Sequence, residues 1–197
     1  MILSRVRLSA RDCAVRRIYS DYDIHRFVYS MFIDDSHVKR DFLFCDEGVS
    51  RGIRSIVIFS KRIPQKPEVG ILEYKLLDDM YFSHTYYQFS IKLNPVRKDS
   101  VSRERIPITD KLELQEWFGR LSVRNGFQSC AELVIERKEP VITKKKQFMI
   151  TLSSFVFSGI MEIIDKEKFI IAVENGLGHG KAFGFGLMKI LPVENKK

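Results

Sequence analysis

The chain has 197 residues, 45% of them hydrophobic and 12% aromatic. It can therefore bury one large core or two smaller ones of roughly 100 residues each, and wholesale disorder is excluded. The net charge of +8 fits a polyanionic partner, either nucleic acid or an anionic membrane surface, or a merely basic soluble protein.

The first residues, MILSRVRLSARDC, alternate apolar residues with charges and carry no signal-peptide core. Within them residues 2–8 predict a strand. Ser20-Asp21-Tyr22-Asp23 matches a capping box. Ile24, Phe27, Val28, Met31 and Phe32 then follow at helical spacing, which predicts an amphipathic helix. Residues 41–46 and 53–61 predict two short strands, with Gly48 and Gly52 in the turn between them. Residues 64–70 read as a loop or a short helix. Residues 72–77 and 86–93 read as strands, the second alternating Tyr87, Phe89, Ile91 and Leu93 until Asn94-Pro95 stops it.

Residues 96–104 are polar and basic and form the expected linker between two halves. Residues 105–108 predict a short strand. Asp110 caps a helix running to about Val123, with Leu112, Leu114, Trp117, Phe118 and Leu121 on or near its buried face and Asn125-Gly126 at its end. Residues 131–137 and 147–160 predict strands joined by a turn carrying Lys144, Lys145 and Lys146. Residues 165–174 predict a helix with Phe169, Ile170 and Val173 inward and Gly176 at the C-cap. Residues 184–191 predict the last strand.

The order is β-α-β-β-(α)-β followed by β-α-β-β-α-β. The expected fold is α+β: two tandem ferredoxin-like (RRM-like) domains, residues 1–95 and 105–197, joined by the basic linker 96–104. No repeat is visible residue by residue, so the duplication rests on element order. Such halves with basic loops resemble RNA-recognition modules, although a fold alone establishes no function.

Cys13, Cys45 and Cys130 are odd in number and widely spaced. They fit reduced thiols in a cytoplasmic protein, not a disulfide framework or a zinc site. No apolar run reaches membrane-spanning length. His25, His37, His84 and His179 show no HxxxH or HExxH spacing, and neither a GxSxG nor a Walker loop occurs. No metal and no cofactor are expected, and metallohydrolase and NTPase chemistry is disfavoured.

His25 lies on the flank of the apolar stripe of its helix. Tyr22, three residues before, and Tyr29, four residues after, project from the same side. A helix N-terminus disfavours added positive charge and keeps a histidine neutral. This group can do acid–base work on RNA, or His25 can be a boundary histidine bonded to solvent. Arg97, Lys98, Arg103 and Arg105, the lysines 144–146, and Arg40 are either solvated surface or phosphate contacts. Gly176-Leu177-Gly178-His179-Gly180-Lys181-Ala182-Phe183-Gly184-Phe185-Gly186 holds five of the eleven glycines. Gly176 suits a helix cap, and Gly184 and Gly186 are expected inside the last strand. Amides near Gly178, Gly180 and Lys181 can hold a phosphate.

The start MILSRVRLS, the Tyr22-Asp23-Ile24-His25 helix, Arg40-Asp41-Phe42-Leu43-Phe44, Leu93-Asn94-Pro95 and the terminal GLGHGKAFGFGLMKIL occur in one order along the whole chain. In this the chain resembles the CRISPR RNA-processing endoribonucleases of the CasE type, members of the RAMP superfamily and of the type I-E Cascade complex. The resemblance implies two ferredoxin-like domains and metal-independent cleavage of CRISPR precursor RNA at the base of the repeat stem-loop. Attack by the ribose 2′-hydroxyl leaves a 2′,3′-cyclic phosphate and a 5′-hydroxyl. It places the catalytic roles on Tyr22 and His25, and gives the basic loops and the second-half hairpin to the RNA stem. It also implies a monomer when isolated, retention of the cleaved hairpin, and other Cascade subunits as partners. A catalytically silent hairpin-binding subunit is the alternative. His179 and Lys181 fall where the family varies, so only RNA contact is expected of them.

Overall fold

The computed structural model describes residues 1–32, 40–145 and 148–193, with residues 143–145 and 148 described by backbone alone. His37 and Lys146 lie outside the described residues.

Strand β1 (Ile2–Ser9) alternates as expected and buries Ile2, Ser4, Val6 and Leu8 on one side. It runs directly into a helix that the apolar pattern does not announce, α1 (Ala10–Arg16), none of whose residues is buried. Its signal is a second capping box: the Ser9 hydroxyl accepts from the Asp12 amide, and the Asp12 carboxylate accepts from the Ser9 amide at 2.8 Å. Helix α2 (Asp21–Ser30) follows the predicted capping box at Ser20 and buries Ile24, Phe27 and Val28. Then come β2 (Phe42–Ser50), β3 (Ile53–Ser60) and β4 (Ile71–Leu76). These strands form one antiparallel sheet in the order β2-β3-β1-β4. That is the ferredoxin-like order, but residues 61–70 form a loop where the second crossover helix would lie.

The second sheet uses β5 (Tyr86–Leu93), β8 (Phe127–Ser129), β10 (Phe148–Ile163) and β11 (Met188–Pro192), in the order β11-β5-β10-β8. Between them come a small hairpin, β6 (Val96–Lys98) with β7 (Arg105–Pro107), and helices α3 (Lys111–Arg124) and α4 (Lys166–Asn175). Strand β9 (Val134–Lys145) pairs along β10 into a long hairpin, with a register shift between Leu152 and Ser154.

Four expectations need correction. Residues 86–93 form a strand, but its partners are β10 and β11, so the division between the sheets falls between Leu76 and Tyr86, not at residues 96–104. Alternation identifies a strand and its buried side; it does not name a partner 60 or more residues away. Residues 96–98 and 105–107 are a paired hairpin instead of a linker; the Asp99 carboxylate accepts from the amides of Val101 and Ser102 in its loop. Leu112 is exposed, because Leu114, Phe118 and Ser122, four residues apart, already define the buried stripe of α3. Gly184 and Gly186 have φ of +80° and +82° and precede the final strand, which begins only at Met188.

Two cores result. Under α2, Ile24, Phe27, Val28 and Met31 meet Val6, Leu8, Phe42, Phe44, Ile56 and Ile58. The other face of the same sheet (Leu43, Cys45, Val57 and Phe59) joins the second core with Tyr87, Phe89, Phe118, Phe157 and Phe169. This explains why Phe42 to Cys45 are buried without alternation: α2 covers one face of β2 and the second half covers the other. Rings stack in series there, Phe89 on Phe118 at 5.7 Å and Phe118 on Phe157 at 4.7 Å. Among the described residues, no helix is long and apolar enough to cross a membrane.

Candidate active site

The site is built on α2. Ser20 Oγ accepts from the Asp23 amide, and the Asp23 carboxylate accepts from the Ser20 amide at 2.9 Å, which fixes the first turn. Ile24, Phe27 and Val28 anchor the inner face. Tyr22, His25 and Tyr29 are thereby presented on the flank. The His25 ring centroid lies 4.0 Å from that of Tyr29 and 5.8 Å from that of Tyr22, with the Tyr22 and His25 planes 20° apart. Arg40 donates to the Tyr29 hydroxyl at 3.2 Å.

The glycine-rich stretch closes the other side. His25 Nδ1 lies 2.8 Å from the Ala182 carbonyl, and the Phe183 ring is 5.6 Å from the imidazole. A carbonyl only accepts, so Nδ1 carries the proton and Nε2 keeps its lone pair. The loop bearing Ala182 is tied by backbone bonds, from the Leu177 amide to the Gly186 carbonyl at 2.9 Å and from the Gly186 amide to the Lys92 carbonyl at 2.8 Å. Ala182 sits in a single 3-10 turn, Lys181–Phe183, bracketed by Gly180 and Gly184 with φ of +85° and +80°. Both brackets need the left-handed region, which glycine enters without strain.

Burial pushes the His25 imidazole below its ordinary value, and the Arg40 charge adds to this, against the opposing effect of the Ala182 bond. A neutral imidazole with a free Nε2 can accept a proton near neutral pH. Partial burial, with the charges of Arg105 and Lys181, also pushes His179 down.

Beside this cluster runs a cleft of about 740 Å³. Arg40, Arg105, His179 and Lys181 line it, with Asn94 and the β10 residues Ile150, Thr151 and Leu152. Four of the expected RNA contacts therefore converge on one cleft, whose wall also includes Ala182, the hydrogen-bond partner of His25. Of the rest, Arg97, Lys98 and Arg103 are not among the residues that line it. Arg97 is paired with Glu113 at 3.3 Å. Lys98 stands opposite Arg105 across the small hairpin, and Arg103 sits in its loop with φ of +61°. Lys144 and Lys145 end β9 opposite Met149 and Phe148, one step beyond the Thr143–Ile150 pair at the cleft wall.

The sequence reading missed Ala182, Phe183 and Asn94. Ala182 acts through its backbone and leaves no side-chain signal. Phe183, like Phe185 an aromatic inside the glycine run, is of a type that hinted at packing on a ring. Gly176 does cap α4, as expected.

A family model described as "CRISPR associated protein" matches residues 1–192. The CRISPR-associated endoribonuclease Cse3 of Thermus thermophilus is 22% identical over 116 residues, 53% of this chain and 55% of that protein, so this match spans about half of that relative. The CRISPR system Cascade subunit CasE of Escherichia coli (strain K12) is 22% identical over 186 residues, covering 87% of this chain and 92% of that protein. Among solved structures, CRISPR endoribonuclease Cse3 bound to 19 nt RNA superposes with a TM-score of 0.81 at 20% identity, covering 98% of this chain and 100% of that one. Cas6e from Escherichia coli K-12 gives 0.76 at 22% identity, covering 98% and 100%. These likenesses establish the tandem ferredoxin-like fold from end to end. With the family model spanning residues 1–192, the chain belongs to the CRISPR associated protein family.

Proposed function

We infer that this chain is a CasE-type endoribonuclease that cuts CRISPR precursor RNA at the base of the repeat stem-loop without a metal ion. It keeps the cleaved hairpin and works with other Cascade subunits in the cytoplasm. The observation that carries this reading is the His25–Ala182 bond at the edge of a cationic cleft. It leaves Nε2 as the free base, and the cleft that Ala182 helps to line carries four residues suited to phosphate. The relatives named endoribonuclease and Cascade subunit support it.

In the proposed step, His25 Nε2 takes the proton of the ribose 2′-hydroxyl. The oxygen attacks the adjacent phosphorus, the bond to the 5′-oxygen breaks, and that oxygen takes a proton from water. The products are a 2′,3′-cyclic phosphate and a 5′-hydroxyl. The half-exposed Tyr22 hydroxyl donates to a phosphate oxygen as negative charge builds. Tyr29 and Phe183 hold the imidazole plane, and Arg40 and Arg105 draw the backbone in. Acid–base help of this kind is worth roughly 10² to 10⁴-fold.

The test mixes the protein, at stoichiometric concentration, with its own repeat RNA in EDTA. Cleavage at one position with a cyclic-phosphate end is expected; RNA that stays intact refutes the reading.

A further inference from the structure

A second basic recess lies on the other flank of α2. It has a volume of about 420 Å³ and is lined by Arg16, Arg17, Asp23, Arg26, Phe27 and Ser30. Arg16 is paired with Glu68 at 2.7 Å. The Asp23 carboxylate is occupied by the helix cap, accepting from Ser20 Oγ at 2.7 Å and from the Tyr19 amide at 3.2 Å. Among the described residues, neither Arg17 nor Arg26 makes an ion pair. Arg17 has φ of +53° at the C-cap of α1, a backbone position where glycine or asparagine is the less strained choice. The chain nevertheless places a long cation there, beside a second one.

The position of the recess is informative. Around α2, His25 lies about 60° to one side of Tyr22 and Arg26 about 40° to the other. Tyr22 thus stands between the cleft of Arg40 and Arg105 and the recess of Arg17 and Arg26. Tyr19, in the link between α1 and α2, is 75% exposed, and Tyr22 is 50% exposed. Cations on both sides of exposed aromatic rings suit an unpaired strand: phosphates meet the guanidinium groups while bases stack on rings. With a rigid hairpin seated in the cleft and the scissile phosphate at Tyr22, the strand beyond the cut continues past Tyr22 toward the recess.

We propose that the Arg17–Arg26 recess, with Tyr19 beside it, binds the single-stranded RNA on the far side of the scissile phosphate from the hairpin. This is the strand that departs with the 5′-hydroxyl. The proposal rests on the endoribonuclease reading above. It makes the precursor bind more tightly than the cleaved hairpin, because these contacts are lost with the departing strand.

The probe is repeat RNA with a deoxyribose just before the scissile phosphate, which removes the attacking hydroxyl. One version ends at the scissile bond, and the other continues about six nucleotides, enough to cross an ordinary single-strand site. Wild-type protein should bind the longer RNA at least about tenfold more tightly, with a steeper salt dependence. The double variant Arg17→Gly with Arg26→Ala should erase that preference and reduce the salt slope on the longer RNA by about 1.4. Its affinity for the shorter RNA should stay at the wild-type value. Glycine suits the backbone at position 17, and Tyr19→Ala should lower the same preference without altering charge. Equal wild-type affinity for the two RNAs overturns the proposal and leaves the nuclease reading standing. So does a double variant that weakens both RNAs alike, or neither. Wild-type protein that binds neither RNA overturns both readings.

Discussion

The Ala182 carbonyl lies 2.8 Å from Nδ1 of His25, a residue 157 positions earlier in the chain. One hydrogen bond thus sets the tautomer of the proposed base and joins the glycine-rich loop of the second half to the α2 helix of the first. The loop is part of the site's construction although none of its side chains need enter the reaction.

Removing the imidazole tests its role directly. His25→Ala should lower the single-turnover cleavage rate by at least about 10²-fold while hairpin affinity stays near wild type in a filter-binding assay. Cleavage at an undiminished rate removes His25 from the mechanism.

The rate should depend on pH through the neutral imidazole. Burial and Arg40 hold His25 below its ordinary 6.5. The rate should therefore rise as the group loses its proton, with a midpoint below 6.5, and be level above it. Arg40→Ala removes a charge that opposes protonation, so the midpoint should move up. A midpoint that stays in place or moves down in a single-turnover pH series separates Arg40 from the imidazole.

Gly184 is the hinge of the turn that presents Ala182. A Cβ there would lie 3.3 Å from Phe44 Cε2, on a backbone with φ of +80° that L side chains rarely adopt. Gly184→Ala should destabilise the protein by about 1 kcal/mol and displace the carbonyl. The cleavage rate should then fall more than hairpin affinity does, read as the ratio of rate to binding constant against wild type. Proportional loss of both would mean that the loop only helps to bind RNA.

Lys144 and Lys145, which end β9, and the next residue in sequence, Lys146, should act through phosphate. Changing Lys144, Lys145 and Lys146 together to Ala should weaken RNA binding and reduce the slope of log affinity against log salt by about two to three. Binding measured across a salt series decides this; a slope equal to wild type means the three do not meet the backbone.

The shared second core has its own consequence. Phe118 is buried between the rings of Phe89 and Phe157. Phe118→Ala should cost about 3–5 kcal/mol, measured as a shift of the urea midpoint. First-sheet residues such as Leu43 and Val57 belong to the same cluster, so both halves should melt in one transition. Two resolved transitions would show that the halves unfold separately.

The sequence by itself determined most of the elements and the contents of the candidate helix. Capping boxes, alternation and helical spacing act over a few residues, so the Ser20 cap, the Tyr87–Leu93 alternation and the shared face of Tyr22, His25 and Tyr29 were legible locally. Helix α1 was missed because it buries nothing, and the apolar period is the signal being sought. Only the tertiary structure decided which sheet takes Tyr86–Leu93, because a strand's pattern records its buried face and not its partner. Likewise, only the tertiary structure brought Ala182 to His25 and gathered Arg40, Arg105, His179 and Lys181 around one cleft. Those meetings depend on how two sheets pack across a common core, and a backbone carbonyl carries no residue type by which a sequence could reveal it.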